Sequence, residues 1–215
     1  MPIRKIPKNY RNVTGVAASR KAIGEAQFES TLERDFLALL DFSPEVVCYE
    51  VQPVRIEWDD ETGKLRTYTP DVLVTFESSI GRSPWLYEVK YWADIKKDWD
   101  ALRGKFRRAI RFAKEQGWRF RLISEIEIRT DYLQNVRFLS PFKHHLYSES
   151  QIEVLLERLR FLGHTTPADL MGALSPDAWK QAEWLPVLWQ QIAYGKIGAA
   201  LERELTMNSS IWSFS

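Results

Sequence analysis

Cysteine is almost missing from this 215-residue chain, where Cys48 stands alone. A lone thiol excludes an internal disulfide, leaves a cysteine-based zinc site without ligands and fits a reducing cytoplasm. No run of about 18 uncharged apolar residues occurs, so a membrane span is not expected. The first residues are polar and basic and contain no apolar segment for secretion. Only three histidines are present. His144, His145 and His164 have no partners at metal-ligand spacing and read as surface or loop residues. A Gly-rich phosphate loop and a Ser/His/Asp arrangement are both absent, which leaves nucleotide hydrolysis and acyl transfer without support. Repeats and low-complexity segments are absent too.

An apolar content of 45% and a charged content of 27% are those of a globular chain of one large or two small domains. The net charge of +1 conceals an asymmetry. Residues 1–21 carry six basic side chains (Arg4, Lys5, Lys8, Arg11, Arg20, Lys21) and no acid. Residues 101–114 carry six more (Arg103, Lys105, Arg107, Arg108, Arg111, Lys114), again without an acid. Residues 145–215 hold five Lys/Arg against eight Asp/Glu, a net of −3. A single basic run is most simply a solvated helix face. Two acid-free runs flanking a candidate metal site favour DNA phosphates as the partner.

Residues 1–24 lack hydrophobic periodicity and read as an extended basic arm. Over residues 25–42, Phe28, Leu32, Phe36, Leu39 and Leu40 recur at helical spacing, and Pro44 should end that helix. Residues 46–58 read as a strand interrupted at Pro53, residues 59–64 as a turn, and 67–76 and 85–92 as further strands. Residues 98–116 read as a basic amphipathic helix with Leu102, Phe106, Ala109, Ile110 and Ala113 inward and Gly117 just past its end. A strand at 118–123 follows. This order gives an α/β core with a mixed sheet, spanning residues 25–142.

Residues 143–215 change character. An acidic helix over 148–162, a capped start at Thr166-Pro167, a helical region at 176–193 interrupted by Pro186 and a terminal hairpin over 195–211 suggest a small, mainly helical, winged-helix-like domain. Trp179, Trp184, Trp189 and Trp212 read as core.

The chemistry concentrates in Thr69-Pro70-Asp71 and Glu88-Val89-Lys90. Alternation puts Glu88 and Lys90 on one face, expected to be open, while Leu73 and Val89 belong to a buried side. Asp71 and Glu88 are carboxylates suited to Mg²⁺ or Mn²⁺, and the Val89 carbonyl can add a third oxygen. Lys90 can orient or deprotonate a water and stabilise the transition state. The plain alternative is an exposed Glu88–Lys90 ion pair beside a Pro70-Asp71 turn. Glu33, at the margin of the first helix's apolar stripe, can supply another carboxylate, with Glu29 a weaker candidate. Ser30-Thr31-Leu32-Glu33 also fits a capping box, although periodicity from Phe28 places Ser30 inside the helix. Glu50 and Gln52 can line the site, a placement that an exposed strand face explains equally well.

The segments 28–36, Tyr49-Glu50-Val51-Gln52-Pro53, Thr69-Pro70-Asp71, Glu88-Val89-Lys90 and Asn135-Val136-Arg137-Phe138-Leu139 together resemble the TnsA family, endonuclease subunits of Tn7-like heteromeric transposases. The resemblance covers most of the first 140 residues. It implies a restriction-endonuclease-like PD-(D/E)xK fold, Mg²⁺ dependence and nicking at transposon 5′ ends. It matches Glu33, Asp71 and Lys90 to the catalytic glutamate, aspartate and lysine, and Glu88 to a position that some members fill with glutamine. It further implies a TnsB-type DDE transposase and a TnsC-type AAA+ regulator as partners, the latter through residues 143–215. A stand-alone restriction or repair nuclease and a non-catalytic DNA-binding adaptor are the alternative readings.

Overall fold

The computed structural model describes residues 13–214, which divide into two compact units at Ile128/Arg129. Arg4, Lys5, Lys8 and Arg11 lie outside the described residues.

The first unit is organised by a four-stranded mixed sheet. Its strands are β3 (Val46–Val51), β6 (Val72–Phe76), β7 (Trp85–Val89) and β8 (Arg119–Ile123), in the order β3-β6-β7-β8. The β3/β6 and β6/β7 pairs are antiparallel and β7/β8 is parallel. A parallel pair needs a long crossover, and here α2 (Trp92–Lys97) and α3 (Trp99–Glu115) supply it. A separate antiparallel ribbon, β4 (Ile56–Asp59) with β5 (Leu65–Tyr68), follows β3. Asp60 closes its turn by accepting hydrogen bonds from the backbone N–H groups of Thr62 and Lys64.

Register fixes which residues share a face, because directly paired residues project to the same side. Tyr49, Val74 and Trp85 are aligned across one face, as are Val51, Val72 and Tyr87. That face packs on α1 (Thr31–Phe42), with the Phe36 and Tyr87 rings 4.9 Å apart. Leu73, Leu86 and Phe120 align on the other face, where Phe106 of α3 meets Phe120 at 5.7 Å. Ile56, Tyr68 and Ala109 join α3 to the ribbon there. Leu73 and Val89 therefore lie on opposite faces, correcting the shared buried side read from sequence. Because α3 and the ribbon cover its face, Glu88 is only 4% exposed rather than open.

Several boundaries move, and the strand read over 67–76 is divided between β5 and β6 at residues 69–71. Phe28 ends a short strand, β2 (Ala26–Phe28), paired with β1 (Gly15–Ala17), so α1 begins at Thr31. Residues 13–24 are not a free arm throughout: Lys21 and Ile23 exchange backbone hydrogen bonds with Tyr49 on the edge of the sheet. Trp92 opens α2 instead of closing a strand. In α3, Ile110 is 53% exposed while Phe112 packs inward, because the 3.6-residue period carries Ile110 off the stripe. Gly117, at φ 74°, turns the chain from α3 into β8. Residues 125–128 form a last helical turn, α4 (Glu125–Ile128).

The second unit begins with α5 (Asp131–Leu139), so the sequence boundary at 142 falls inside it. The physical reason is Asn135: its Nδ2 donates to the carbonyls of Leu201 (2.8 Å) and Arg203 (2.7 Å), and its Oδ1 accepts from Leu205 N–H (3.0 Å). Then come α6 (Glu149–Leu162), β9 (His164–Thr165), α7 (Pro167–Leu174), α8 (Ala178–Ala193), β10 (Ile197–Ala199) and β11 (Ile211–Ser213). Ser148 heads α6 in a capping box, and Thr166 caps α7 with Pro167 in its first turn. Helix α8 runs through Pro186 without a break. The terminal hairpin exists, and β9 extends it to a three-stranded antiparallel sheet that sequence alone did not suggest. A Cβ at Gly198 would overlap the Trp212 indole, which explains glycine there. Trp189 is buried, whereas Trp179 is 85% exposed and is not core.

Candidate active site

Asp71 sits at the entry to β6, beside the end of the antiparallel strand β7. Pro70 before it has no N–H to offer, and Asp71 is locked from both sides: its N–H donates to Tyr87 (3.0 Å) and its carbonyl accepts from Gln52 N–H (2.8 Å). Its carboxylate Oδ2 accepts the Val89 N–H at 2.7 Å. That bond ties the aspartate to the middle of Glu88-Val89-Lys90. The two halves of the motif, 18 residues apart, are thus brought into direct contact.

Glu88 projects toward α3 and the ribbon, where its carboxylate is enclosed. Tyr68 O–H donates to Oε2 at 2.6 Å and Lys105 Nζ to Oε1 at 3.0 Å. Lys90 Nζ lies 3.9 Å from the same Oε1. An anion held by two ammonium groups and a phenol offsets the cost of its burial. Tyr68 and Lys105 were missed as site residues by the sequence reading, which gave Lys105 to DNA phosphates. The available signal was helical position: Lys105 is three residues beyond Leu102 and four before Ala109, both buried, so it flanks the inward stripe.

Glu33 occupies the first turn of α1. Its Oε1 accepts from Ser30 O–H (2.8 Å), its Oε2 accepts from Glu29 N–H (2.8 Å), and Ser30 Oγ accepts from Glu33 N–H (3.1 Å). Ser30 is therefore the N-cap that periodicity argued against, but the capping box is only half formed, because the Glu33 carboxylate takes the N–H of Glu29 rather than that of Ser30. Capping does not remove Glu33 from the site. Burial raises its carboxyl above the ordinary value, against hydrogen bonds from Glu29 and Ser30, and the charges of Glu29 and Glu88 push it higher. Asp71 is raised further, first by burial and then by the charges of Glu88 and Glu33, with Val89 N–H and Lys90 pulling the other way. Glu33, Asp71 and Glu88 therefore act on one another electrostatically. Among the described residues no three His, Cys, Asp or Glu side chains are already arranged as a metal shell.

A cleft of about 490 Å³ is lined by Arg55, Thr67, Tyr68, Thr69, Asp71, Glu88 and Lys105, so Asp71 and Glu88 border it while Glu33 and Lys90 are not among its lining residues. Of the charged helix, Arg103, Arg107, Arg108 and Arg111 are exposed. Arg20 is exposed, but Lys21 turns inward to donate to the Ser43 carbonyl, and burial lowers its pKa. Gln52, which sequence allowed on an exposed face, is 8% exposed and donates from Nε2 to Glu29 Oε1 at 3.0 Å.

Fold and site together describe an α/β sheet with an acidic cleft braced by lysines. Comparison with protein families gives this arrangement its place: residues 43–125 match the TnsA-like endonuclease N-terminal domain and residues 127–200 the TnsA endonuclease C-terminal domain. The chain belongs to the TnsA endonuclease family, and so is a nuclease, the endonuclease subunit of a Tn7-type transposase. The junction between the two matches falls beside the Ile128/Arg129 division, and Glu33 precedes the first match. Comparison with curated proteins finds no match. No helix among the described residues is long and apolar enough to cross a membrane.

Proposed function

We propose that this subunit is a Mg²⁺-dependent nuclease of the PD-(D/E)xK type that cuts the 5′ ends of the transposon while a DDE transposase processes the 3′ ends. The observation that carries this reading is the Asp71 carboxylate bonded at 2.7 Å to Val89 N–H, between Glu88 and Lys90, with Asp71 and Glu88 lining one cleft; burial and the charges of Glu88 and Glu33 raise the Asp71 carboxyl there. Three mutually repelling carboxylates form an oxygen-only donor set that suits a hard divalent ion, with Mn²⁺ an expected substitute. Each carboxylate oxygen of Glu33 and Glu88 already carries a hydrogen bond but retains a lone pair. Asp71, Glu88 and Glu33 would hold the ion, with the Val89 carbonyl as an additional oxygen. When bound, the ion supplies Lewis-acid activation of the phosphate and of a water.

Within that arrangement Lys90 orients the attacking water or takes its proton, and Lys105 holds the Glu88 carboxylate in place at 3.0 Å. Arg103, Arg107, Arg108 and Arg111 on α3, together with Arg20, grip backbone phosphates without reading sequence. Arg103 already lies 3.6 Å from Asp100, so DNA competes for it. The second unit, four α-helices with a three-stranded sheet, is consistent with a winged-helix-like module. Residues 145–215, with a net charge of −3, suit a protein, an AAA+ regulator of the TnsC type, better than DNA.

A reconstituted excision assay with the transposase encoded alongside tests the reading by mapping which strand each subunit cuts. Loss of 5′-end cuts alone in Asp71→Ala or Lys90→Ala supports it, and normal 5′ cutting by either variant removes the proposed active site. Vigorous cutting of DNA by the isolated protein would favour a stand-alone nuclease. Wild-type protein that never cuts, with or without the transposase, would favour an adaptor.

A further inference from the structure

Three buried side-chain amides in this protein invite comparison. Asn135 uses both its Nδ2 and its Oδ1 on backbone groups. Gln190 donates to the carbonyls of Phe142 and His145 and accepts from Gln191 Nε2. Gln52 differs: its Nε2 is bonded to Glu29, but its buried Oε1 has no partner. A buried carbonyl oxygen left unpaired is costly, and native structures seldom retain one without a use.

The backbone of Gln52 carries a second cost. Its φ of 49° is the one positive value at a non-glycine position among the described residues. Pro53 follows, and a residue before proline is biased toward extended conformations, so the left-handed region is doubly unfavourable here. Strain of this kind persists where the surroundings enforce it, commonly at functional sites. Here the enforced conformation has a visible result. Gln52 N–H donates to the Asp71 carbonyl at 2.8 Å while its side chain holds Glu29 at 3.0 Å, and Glu29 is one of the charges acting on Glu33. One residue thus joins the helix-start carboxylates to the aspartate at the head of β6.

We propose that Gln52 is a positioning residue of the cation centre: it holds Glu29 and Asp71 in fixed relation, and its unpartnered Oε1 accepts a hydrogen bond from a water carried by the divalent ion. This inference rests on reading the carboxylate cleft as a cation site. Groups that act through the water or ligand shell of a metal commonly change its affinity about 10–100-fold when removed.

The test is a calorimetric Mn²⁺ titration of the full chain as wild type, Gln52→Met, Gln52→Gly and Asp71→Asn, with thermal melts of each. Met keeps the bulk and removes both polar atoms, whereas Gly also releases the backbone strain. The expected result is no measurable uptake by Asp71→Asn and about 10–100-fold weaker binding by both Gln52 variants. Gln52→Gly should melt within about 4 °C of wild type. Wild-type affinity in both Gln52 variants, with Asp71→Asn still dead, overturns the proposal and leaves the cation centre standing. Absence of Mn²⁺ uptake by the wild type overturns both. Failure of both Gln52 variants to fold assigns the residue to structure and also overturns the proposal. If only Gln52→Met fails to fold, Gln52→Gly decides.

Discussion

The two units treat buried polarity in opposite ways. In the second, Asn135 and Gln190 use their amides to fasten loops, and helix starts are closed by Ser148, Thr166 and Asp177. In the first, Asp71 and Glu33 are carboxyls pushed upward by burial and by neighbouring carboxylates, Glu88 is shared between two lysines, and Gln52 is strained and incompletely bonded. Polar groups under such tension are enriched at functional sites. The contrast favours the same carboxylate cleft as the proposed active site.

Asp71→Asn should sharpen the contrast most. It keeps an oxygen for Val89 N–H but removes the charge, so strand cleavage should fall by about 10²–10³-fold or more. The cation-free protein should become more stable at neutral pH, since a repelled carboxylate is gone; a gel cleavage assay and a thermal melt check the two halves. The opposite pattern is expected for Asn135→Ala. It leaves the carbonyls of Leu201 and Arg203 and the N–H of Leu205 without their partner, which should cost about 2 kcal/mol in denaturant unfolding. An unchanged melt in that variant would break the comparison.

How far the sequence carried this picture depended on whether a residue's role was local. Gly117 after α3, the cap at Thr166, and the break at Pro53 are set by neighbours in the chain and were readable there. The start of α1 was not: Phe28 matches the helical stripe by spacing, yet Ala26 and Phe28 belong to a strand, with both buried and Gln27 between them half-exposed. The site divides likewise. Asp71, Glu88 and Lys90 were marked by a short pattern. Tyr68 and Lys105 became visible only when the ribbon and α3 folded over Glu88, bringing in residues 17 to 20 positions from it. Gln52's importance lies in a φ angle and an empty acceptor, neither of which a residue letter encodes.

Lys105 and the exposed arginines of its helix should separate in a salt titration. Lys105→Met should lower cleavage about tenfold by loosening Glu88, with little change in the salt dependence of DNA binding. Arg107→Ala, Arg108→Ala and Arg111→Ala should instead each lower the slope of log affinity against log salt, by about 0.9 for each DNA phosphate that the variant leaves unneutralised. Reversal of the two behaviours would move Lys105 back to the DNA surface.

The smallest effect is on pH. Asp71 and Glu33 have folded-state pKa values above their ordinary 3.8 and 4.5, so the folded protein binds more protons than the unfolded chain once pH exceeds those values. Their contribution to stability is present at acid pH and is lost as pH rises through the raised folded values. A divalent ion removes that penalty, so added Mg²⁺ should raise the melting temperature more at pH 8 than at pH 5. Equal Mg²⁺ shifts at the two pH values would contradict the assignment.

Anomalous diffraction from crystals soaked in Mn²⁺ tests the central claim most directly. The account predicts a peak about 2.0–2.3 Å from an Asp71 carboxylate oxygen, with Glu33 or Glu88 completing the protein ligands. Ordered Mn²⁺ elsewhere, with Asp71 still bonded only to Val89 N–H, would contradict it.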